Sequence, residues 1–394
     1  MSHALLSPSA AHRWLNCTKS VRLEEKFEDR GSDAAVEGTV AHAICAHLLK
    51  TLITDGTYDV KTVAKEVRYF SDEFTVDDFD RWYTQDMMGH AEDYASYVWG
   101  MYQKELETTP DAVLMVEKNL DITKYGQDMT GTTDAAIVSD KSLHIIDFKY
   151  GRGVRVDALN NPQMMIYALG NIEAHSGMYA FHDVVMTIYQ PRLNNISDYR
   201  MTVDGLRKWG TLTLTPKAAD AYAGKGEYAA GPWCKFCKAK ALCKTCASYS
   251  TELYGNLKEK DLDCLSADEL AAVVAEADDI TSWLDAVKGY AVDQLKEGKP
   301  IAGLKLVEGR STRRYADEGK VIGVLTANGF KEEQLYDKKI KTITAMEKMI
   351  TKKVFASLLS DLVVKPQGSP TLALESDPRP AYNSAENDFS DLEI

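Results

Sequence analysis

The run Gly131-Thr132-Thr133-Asp134-Ala135-Ala136-Ile137-Val138-Ser139-Asp140-Lys141-Ser142-Leu143-His144-Ile145-Ile146-Asp147-Phe148-Lys149 constrains this chain more than any other stretch. Two short apolar segments flank a polar turn at Ser139–Lys141, the pattern of a β-hairpin. Side chains alternate along a strand, so Asp147 and Lys149 leave the same face. Asp134 lies on the first strand, close enough to come opposite them. Two carboxylates and an ammonium gathered at a hairpin mouth suit a divalent cation held over a phosphate.

The frame around this hairpin is that of an ordinary globular protein. With 394 residues the chain is expected to hold two or three domains, and its 45% hydrophobic and 27% charged content is unexceptional. No apolar run reaches about 18 residues, so no membrane partner is expected. The N-terminus has neither a basic region nor a long apolar segment, so no signal peptide is expected and the expected compartment is the cytoplasm. There, seven cysteines are metal ligands or plain thiols rather than disulfides. The net charge of −13 argues against nucleic acid, but it is unevenly spread. Residues 141–246 hold 14 Lys and Arg against 8 Asp and Glu, a local excess of +6 that begins at the hairpin.

Along the chain, Ser7-Pro8-Ser9 starts a short helix expected to carry Trp14, Leu15 and Cys17. A second helix, about Ala34–Leu52, holds His42 and His47, which are five apart and do not form the four-residue histidine pair of a zincin site. Residues 53–110 are expected to be a helical insertion whose aromatic stripe (Tyr83, Tyr94, Tyr97, Trp99, Tyr102) packs rather than reacts. A strand over Val113–Glu117 leads into the hairpin, with Glu117 at its end, facing either the site or solvent. Asn161-Pro162 opens a helix that places Gln163 and Tyr167 on one face. A strand over Asp183–Tyr189 follows. Strand, hairpin, helix and strand in that order predict an α/β fold with a mixed sheet.

Cys234, Cys237, Cys243 and Cys246 form C-x2-C-x5-C-x2-C. Zinc ribbons usually separate their two cysteine pairs more widely. The other reading is an iron–sulfur cluster held by Cys234, Cys237, Cys243 and one distant cysteine. Spacing leaves zinc and iron–sulfur open.

Taken together, Gly38-x3-His42, Asp134, Asp147-x-Lys149 and Gln163-x3-Tyr167 resemble the RecB-like branch of the PD-(D/E)XK nucleases over about residues 5–247. Cys17 answered by Cys234, Cys237 and Cys243 resembles its iron–sulfur subgroup, which includes the AddB helicase–nuclease subunit and the CRISPR-adaptation exonucleases. The whole chain resembles a phage-encoded family catalogued as a domain of unknown function, through Tyr189-Gln-Pro-Arg192, Gly231-Pro-Trp-Cys-Lys-Phe-Cys237, Leu304-Lys-Leu-Val-Glu-Gly-Arg310 and Gly368-Ser-Pro-Thr-Leu372. The chain departs from the pattern in having Thr133 before Asp134 and Cys246 as an additional downstream cysteine.

The resemblance implies a restriction-endonuclease-like mixed sheet flanked by helices. It also implies a metal-dependent DNA exonuclease of phage recombination or DNA processing, in the host cytoplasm. Asp134, Asp147, His42 and the Phe148 carbonyl would hold Mg²⁺ or Mn²⁺. Lys149 would orient or deprotonate the attacking water and offset transition-state charge, with Gln163 and Tyr167 positioning it. A 4Fe-4S cluster on Cys17, Cys234, Cys237 and Cys243 would brace the fold, with zinc as the alternative cofactor. Two other classes stay open: an inactive nuclease-fold scaffold that binds DNA, and a zinc-knuckle regulator.

The expected boundaries are 1–52 for the N-terminal helices, 53–110 for the insertion and 111–247 for the core with its cysteines. Residues 248–364 form a mostly helical accessory region, with a long helix from Ser266 to Lys296 and a strand pair over Ile301–Tyr315. Further helices are expected near Asp317–Asn328 and Lys339–Leu362. Residues 365–394 form an acidic tail expected to be disordered, with apolar anchors that could dock a single-strand annealing or single-strand binding protein. Oligomerisation is a further possibility that composition leaves open.

Overall fold

The computed structural model describes residues 4–28, 31–140, 142–258, 267–306, 318–327, 346, 352–359 and 362–363. Its centre is a five-stranded mixed sheet in chain order: β1 (Val113–Asp121), β2 (Thr130–Val138), β3 (Ser142–Phe148), β4 (Asp183–Gln190) and β5 (Asn195–Thr202). β1–β2, β2–β3 and β4–β5 pair antiparallel, whereas β3–β4 is parallel. A parallel pair cannot be closed by a hairpin, and here the crossover contains helix α7 (Pro162–Ala174). The mixed α/β fold is therefore the one expected.

Both faces of the sheet are covered. On one side, α1 (Ala11–Asn16), α7, α8 (Val203–Trp209) and α9 (Thr215–Ala223) pack Trp14, Met164, Leu169, Leu206 and Ala218 against Ala136, Ile145 and Met186. On the other, α3 (Asp33–Asp55) and α6 (Gln85–Thr108) pack Leu48 and Tyr94 against Ala135, Ile146 and Phe148. The same core takes in α4 (Val60–Phe70) and α5 (Val76–Trp82), through Val63 and Phe79. Ile145 and Ile146 are both fully buried, one on each face. This is why β3 carries apolar residues on both faces, and each such side chain contributes about 1.5–3 kcal/mol. The aromatic stripe does pack, as expected. Its Tyr94 reaches the sheet itself, donating to the Ile146 carbonyl at 3.3 Å. Residues 53–110 thus include one of the layers that cover the sheet.

Several local expectations are corrected. α1 stops at Asn16, so Cys17 follows the helix rather than riding on it. α3 runs Asp33–Asp55 because Ser32 caps its start and Gly56, at φ +72°, ends it. β1 continues to Asp121, which puts Glu117 mid-strand and not at the end. β5 was not anticipated; only every second residue is shielded, and its outer face carries Asp198, Arg200 and Thr202 beside an exposed Ile196.

The chain divides into two compact units, residues 1–290 and 291–394. The expected boundary at 247 falls inside the first unit. There α10 (Lys244–Lys258) and α11 (Ala267–Lys296) meet through Tyr249 and Glu276 at 3.1 Å, and Lys240 donates to Ser282 at 2.9 Å. The described part of the second unit includes α12 (Glu318–Ala327) and α13 (Lys352–Leu359). Residues 301–306 form a turn and not the expected strand. Residues 307–315 and the tail 365–394, with its expected partner site, lie outside the described residues.

One buried network yields a pH prediction. His144 bonds Thr187 Oγ1 at 2.6 Å, and Thr187, fully buried, donates to Asp198. Burial pushes His144 down to about 4, with Asp198 opposing and Arg200 adding to the shift. The unfolded chain therefore binds a proton between pH 6.5 and 4 that the folded chain refuses. Stability from this residue is complete above pH 6.5 and declines as the pH falls toward 4. Urea unfolding at pH 7 and pH 5 should show His144→Gln losing less stability than the parent, by on the order of 1–2 kcal/mol. Equal losses would show that His144 does not carry the effect.

Candidate metal centre and cysteine cluster

The hairpin sets the first half of the site. Asp147 shares strand parity with Ile145 and so lies on the face that α7 covers, whereas Asp134 sits where the β1–β2 ladder is interrupted and reaches toward His42 of α3. Asn161 accepts from the backbone N–H groups of Gln163 and Met164, and Pro162 fits the first turn, so α7 begins beside Lys149. Lys149 Nζ lies 2.8 Å from Asp147 Oδ2 and donates to Gln163 Oε1 at 3.0 Å. The Gln163 amide then donates to Asp147 Oδ1 at 3.3 Å and to the Tyr167 hydroxyl at 3.2 Å. The four residues form one connected network.

The second half comes from elsewhere in the chain. α3 brings His42 Nδ1 to 3.4 Å from Asp134 Oδ2, an oxygen that also accepts from the Phe148 N–H at 2.8 Å. The His42 ring stands edge-on to the Phe148 ring, 5.4 Å between centroids. His42, Glu117 and Asp134 each offer a ligand atom within 4.8 Å of the others. Glu117 therefore faces the site and not solvent. The β1–β2 ladder breaks there: Val116 pairs Ala135 and Lys118 pairs Thr133, while Glu117 adopts φ +51°. A non-glycine residue in this region costs of order 1–3 kcal/mol and is found where the surroundings impose it. Here it accompanies two like charges set opposite each other, an arrangement that is unfavourable without a cation.

The electrostatics agree. Burial, with the Asp134 charge, pushes Glu117 up to about 7. Burial opposes charge on His42, yet Asp134 carries it up to about 9. Asp134 falls below the usual carboxylate range despite its burial, because His42, Lys149 and the Phe148 N–H favour its charge. Burial raises Asp147, with Lys149 opposing and Asp134 adding to it. Burial works against charge on Lys149, but Asp147 and Asp134 hold it above the ordinary lysine value. A divalent cation would compete with the protons on His42 and Glu117 and relieve the carboxylates. Asp147 Oδ2 is buried without a well-aligned hydrogen bond, so it retains capacity for such an ion. Oxygen donors with one imidazole fit Mg²⁺ or Mn²⁺.

Two supporting residues escaped the sequence reading. Asn171 donates to Thr133 Oγ1 at 3.1 Å and to the Tyr167 carbonyl at 3.0 Å. Its place four residues beyond Tyr167, itself four beyond Gln163, was the available signal. Gly131 admits close packing: a Cβ there would lie 2.8 Å from the Tyr167 ring and 2.9 Å from Pro8.

The cysteines gather at a separate place. Cys17, Cys234, Cys237, Cys243 and Cys246 line one cavity, walled by Leu23, Tyr228 and Trp233 with Arg13 and Lys240 beside it. All five are free thiols. The N-terminal segment is tied in by side chains: Arg13 donates to the Phe236 carbonyl at 3.1 Å and pairs with Glu24 at 2.8 Å, and Glu24 accepts from the Lys238 N–H at 2.8 Å. The Ala229 N–H points at Cys17 Sγ at 3.5 Å. A hydrogen bond from Cys246 brings Cys234 down to about 6, while burial pushes Cys237 up to about 12. Soft thiolates beside two cations fit an iron–sulfur cluster or zinc. Five candidates for four positions leave Cys246 and Cys17 in competition.

The family described as "Protein of unknown function (DUF2800)" matches residues 3–380. The chain belongs to DUF2800. Among solved structures, "Crystal structure of SSO0001" is similar at 15% identity over 52% of this chain and 95% of its own, with a TM-score of 0.25. A superposition that loose carries no argument about fold or chemistry.

Proposed function

We propose that this DUF2800 chain is a metal-dependent deoxyribonuclease, an exonuclease that hydrolyses phosphodiester bonds in phage DNA recombination or processing. The observation that carries the reading is the convergence of Asp134, Asp147, Lys149 and Gln163 beside His42 and Glu117. Asp134, Asp147, His42 and Glu117 would hold Mg²⁺ or Mn²⁺. When bound, such an ion neutralises phosphate charge and makes water acidic enough to attack at neutral pH. Lys149, held charged by its carboxylate neighbours, lacks the lone pair a base needs; its work is to stabilise charge developing on the phosphate. Gln163 fixes Lys149 and Asp147 together, and Tyr167 fixes Gln163. The basic segment 141–246 supports a phosphate-backbone substrate. A 4Fe-4S cluster among the five thiols would brace the N-terminal helices against residues 222–246.

The test uses anaerobically purified protein with Mn²⁺ or Mg²⁺ on end-labelled linear and on circular DNA, single- and double-stranded, beside Asp134→Asn. Degradation of linear DNA that spares circles and vanishes in the variant is expected. Cut circles would make it an endonuclease. No cleavage by the parent, or equal cleavage by the variant, removes the catalytic reading and leaves the scaffold one.

A further inference from the structure

The loop that leaves Lys149 and returns at Gln163 is held more firmly than its composition suggests. Gln190, 1% exposed, donates to the carbonyls of Gly151 at 3.0 Å and Val154 at 2.8 Å, and accepts from the Val156 N–H at 3.2 Å. Asn195, 2% exposed, donates to the Val156 carbonyl at 2.8 Å and to Gln190 Oε1 at 3.2 Å. Ser197 accepts from the Ala158 N–H at 3.0 Å and donates to Asp157 at 2.9 Å. Arg192 donates to the Tyr150 carbonyl at 3.3 Å and pairs with Glu37 of α3 at 2.9 Å. Two buried amides, a serine and an arginine from the β4–β5 hairpin thus fix the loop backbone.

What the loop presents is the opposite of what holds it. Arg152, Val154, Arg155 and Leu159 are exposed, Val154 at 43% and Leu159 at 61%. Neither arginine makes an ion pair with a described residue, and the loop's one acid, Asp157, is bound by Ser197 and the Leu159 N–H. A rigid tip bearing two exposed guanidinium groups and two apolar side chains, on a chain of net charge −13, is built for a polyanion with apolar faces. Fixing the backbone in advance removes the ordering cost of binding.

We infer that residues 151–159 form the strand-holding loop, with Arg152 and Arg155 contacting phosphates and Val154 and Leu159 lying against unstacked bases of a single nucleic-acid strand. The inference rests on the nuclease reading. Exposed base faces favour a single strand or a frayed end over closed duplex.

The test is fluorescence anisotropy of a labelled 20-nucleotide single strand and of the matching duplex. It uses full-length protein without added divalent metal, from 50 to 300 mM salt, for the parent, Arg152→Gln/Arg155→Gln and Val154→Ser/Leu159→Ser. Two lost phosphate contacts should lower the slope of log K against log salt by about 1.4 on the single strand. The apolar variant should weaken single-strand binding several-fold while keeping the parent's salt slope. Both changes are on the surface, so thermal midpoints should stay at the parent's value. A parent that binds neither strand form, and cleaves neither with Mn²⁺, overturns the nuclease reading itself. A parent that binds and cleaves, with loop variants of unchanged affinity and slope, overturns this inference alone. Equal loss on duplex and single strand overturns the single-strand assignment.

Discussion

Lys149→Ala should lower the rate of DNA cleavage by about 10²–10³-fold, the scale on which one preorganised charge donor acts. Among the described residues Lys149 is the cation in contact with Asp147, and it is held in place by Gln163. Both acids raise its pKa, so it is charged throughout the neutral range and meets the phosphate as a point charge. Lys149→Arg should not rescue the rate, because a planar guanidinium would pair with Asp147 in a different geometry. Removing the lysine also strands the buried Asp147, a change that costs about 3–5 kcal/mol where the charge persists. The double variant Lys149→Ala/Asp147→Asn separates the two effects. It should recover most of the thermal stability lost in Lys149→Ala and none of its cleavage. Single-turnover rates with thermal midpoints decide the matter, and an unchanged rate in Lys149→Ala ends the catalytic assignment.

Cys17→Ser should produce the largest loss of stability. The thiol lies beside Cys234, Cys237 and Cys243 although more than 200 residues separate them along the chain. Binding energy of a thiolate-held metal group is also folding energy, on the order of 10 kcal/mol for a structural site. Loss of one ligand should therefore lower the thermal midpoint by about 10 °C or more and reduce bound metal per chain. Cys246→Ser should retain both if Cys17 is the fourth ligand. The reverse ranking would assign the position to Cys246 and leave the N-terminal helices tied by core packing and by hydrogen bonds such as those of Arg13, Thr18 and Arg22. Metal analysis and colour of the anaerobic protein distinguish a brown iron–sulfur protein from a colourless zinc one.

Much of this architecture is encoded locally. The parity that puts Asp147 beside Lys149, the Ser139–Ser142 turn, the Asn161-Pro162 start of α7 and the four-residue step from Gln163 to Tyr167 depend on neighbours in the chain. Strand pleat, helix pitch and capping are short-range properties, so a sequence states them directly. The helices flanking the sheet were expected from the family resemblance and not from any local pattern.

Other features were settled by burial alone. His42 meets Asp134 because α3 must cover the Ile146 and Phe148 face of the sheet, and nothing near His42 records that distance. Glu117 turns inward through a backbone conformation that its residue type does not announce, so its strand position left two readings open. β5 presents Asp198, Arg200 and Thr202 on its outer face and becomes a strand only by pairing with β4. Cys246, which spacing made one more knuckle cysteine, shares its cavity with Cys17 because Arg13 and Glu24 hold the N-terminal segment against residues 229–238. The residues in each case were in plain view, but their meeting depends on which faces pack together. That is a property of the whole chain's apolar surface and not of any one segment.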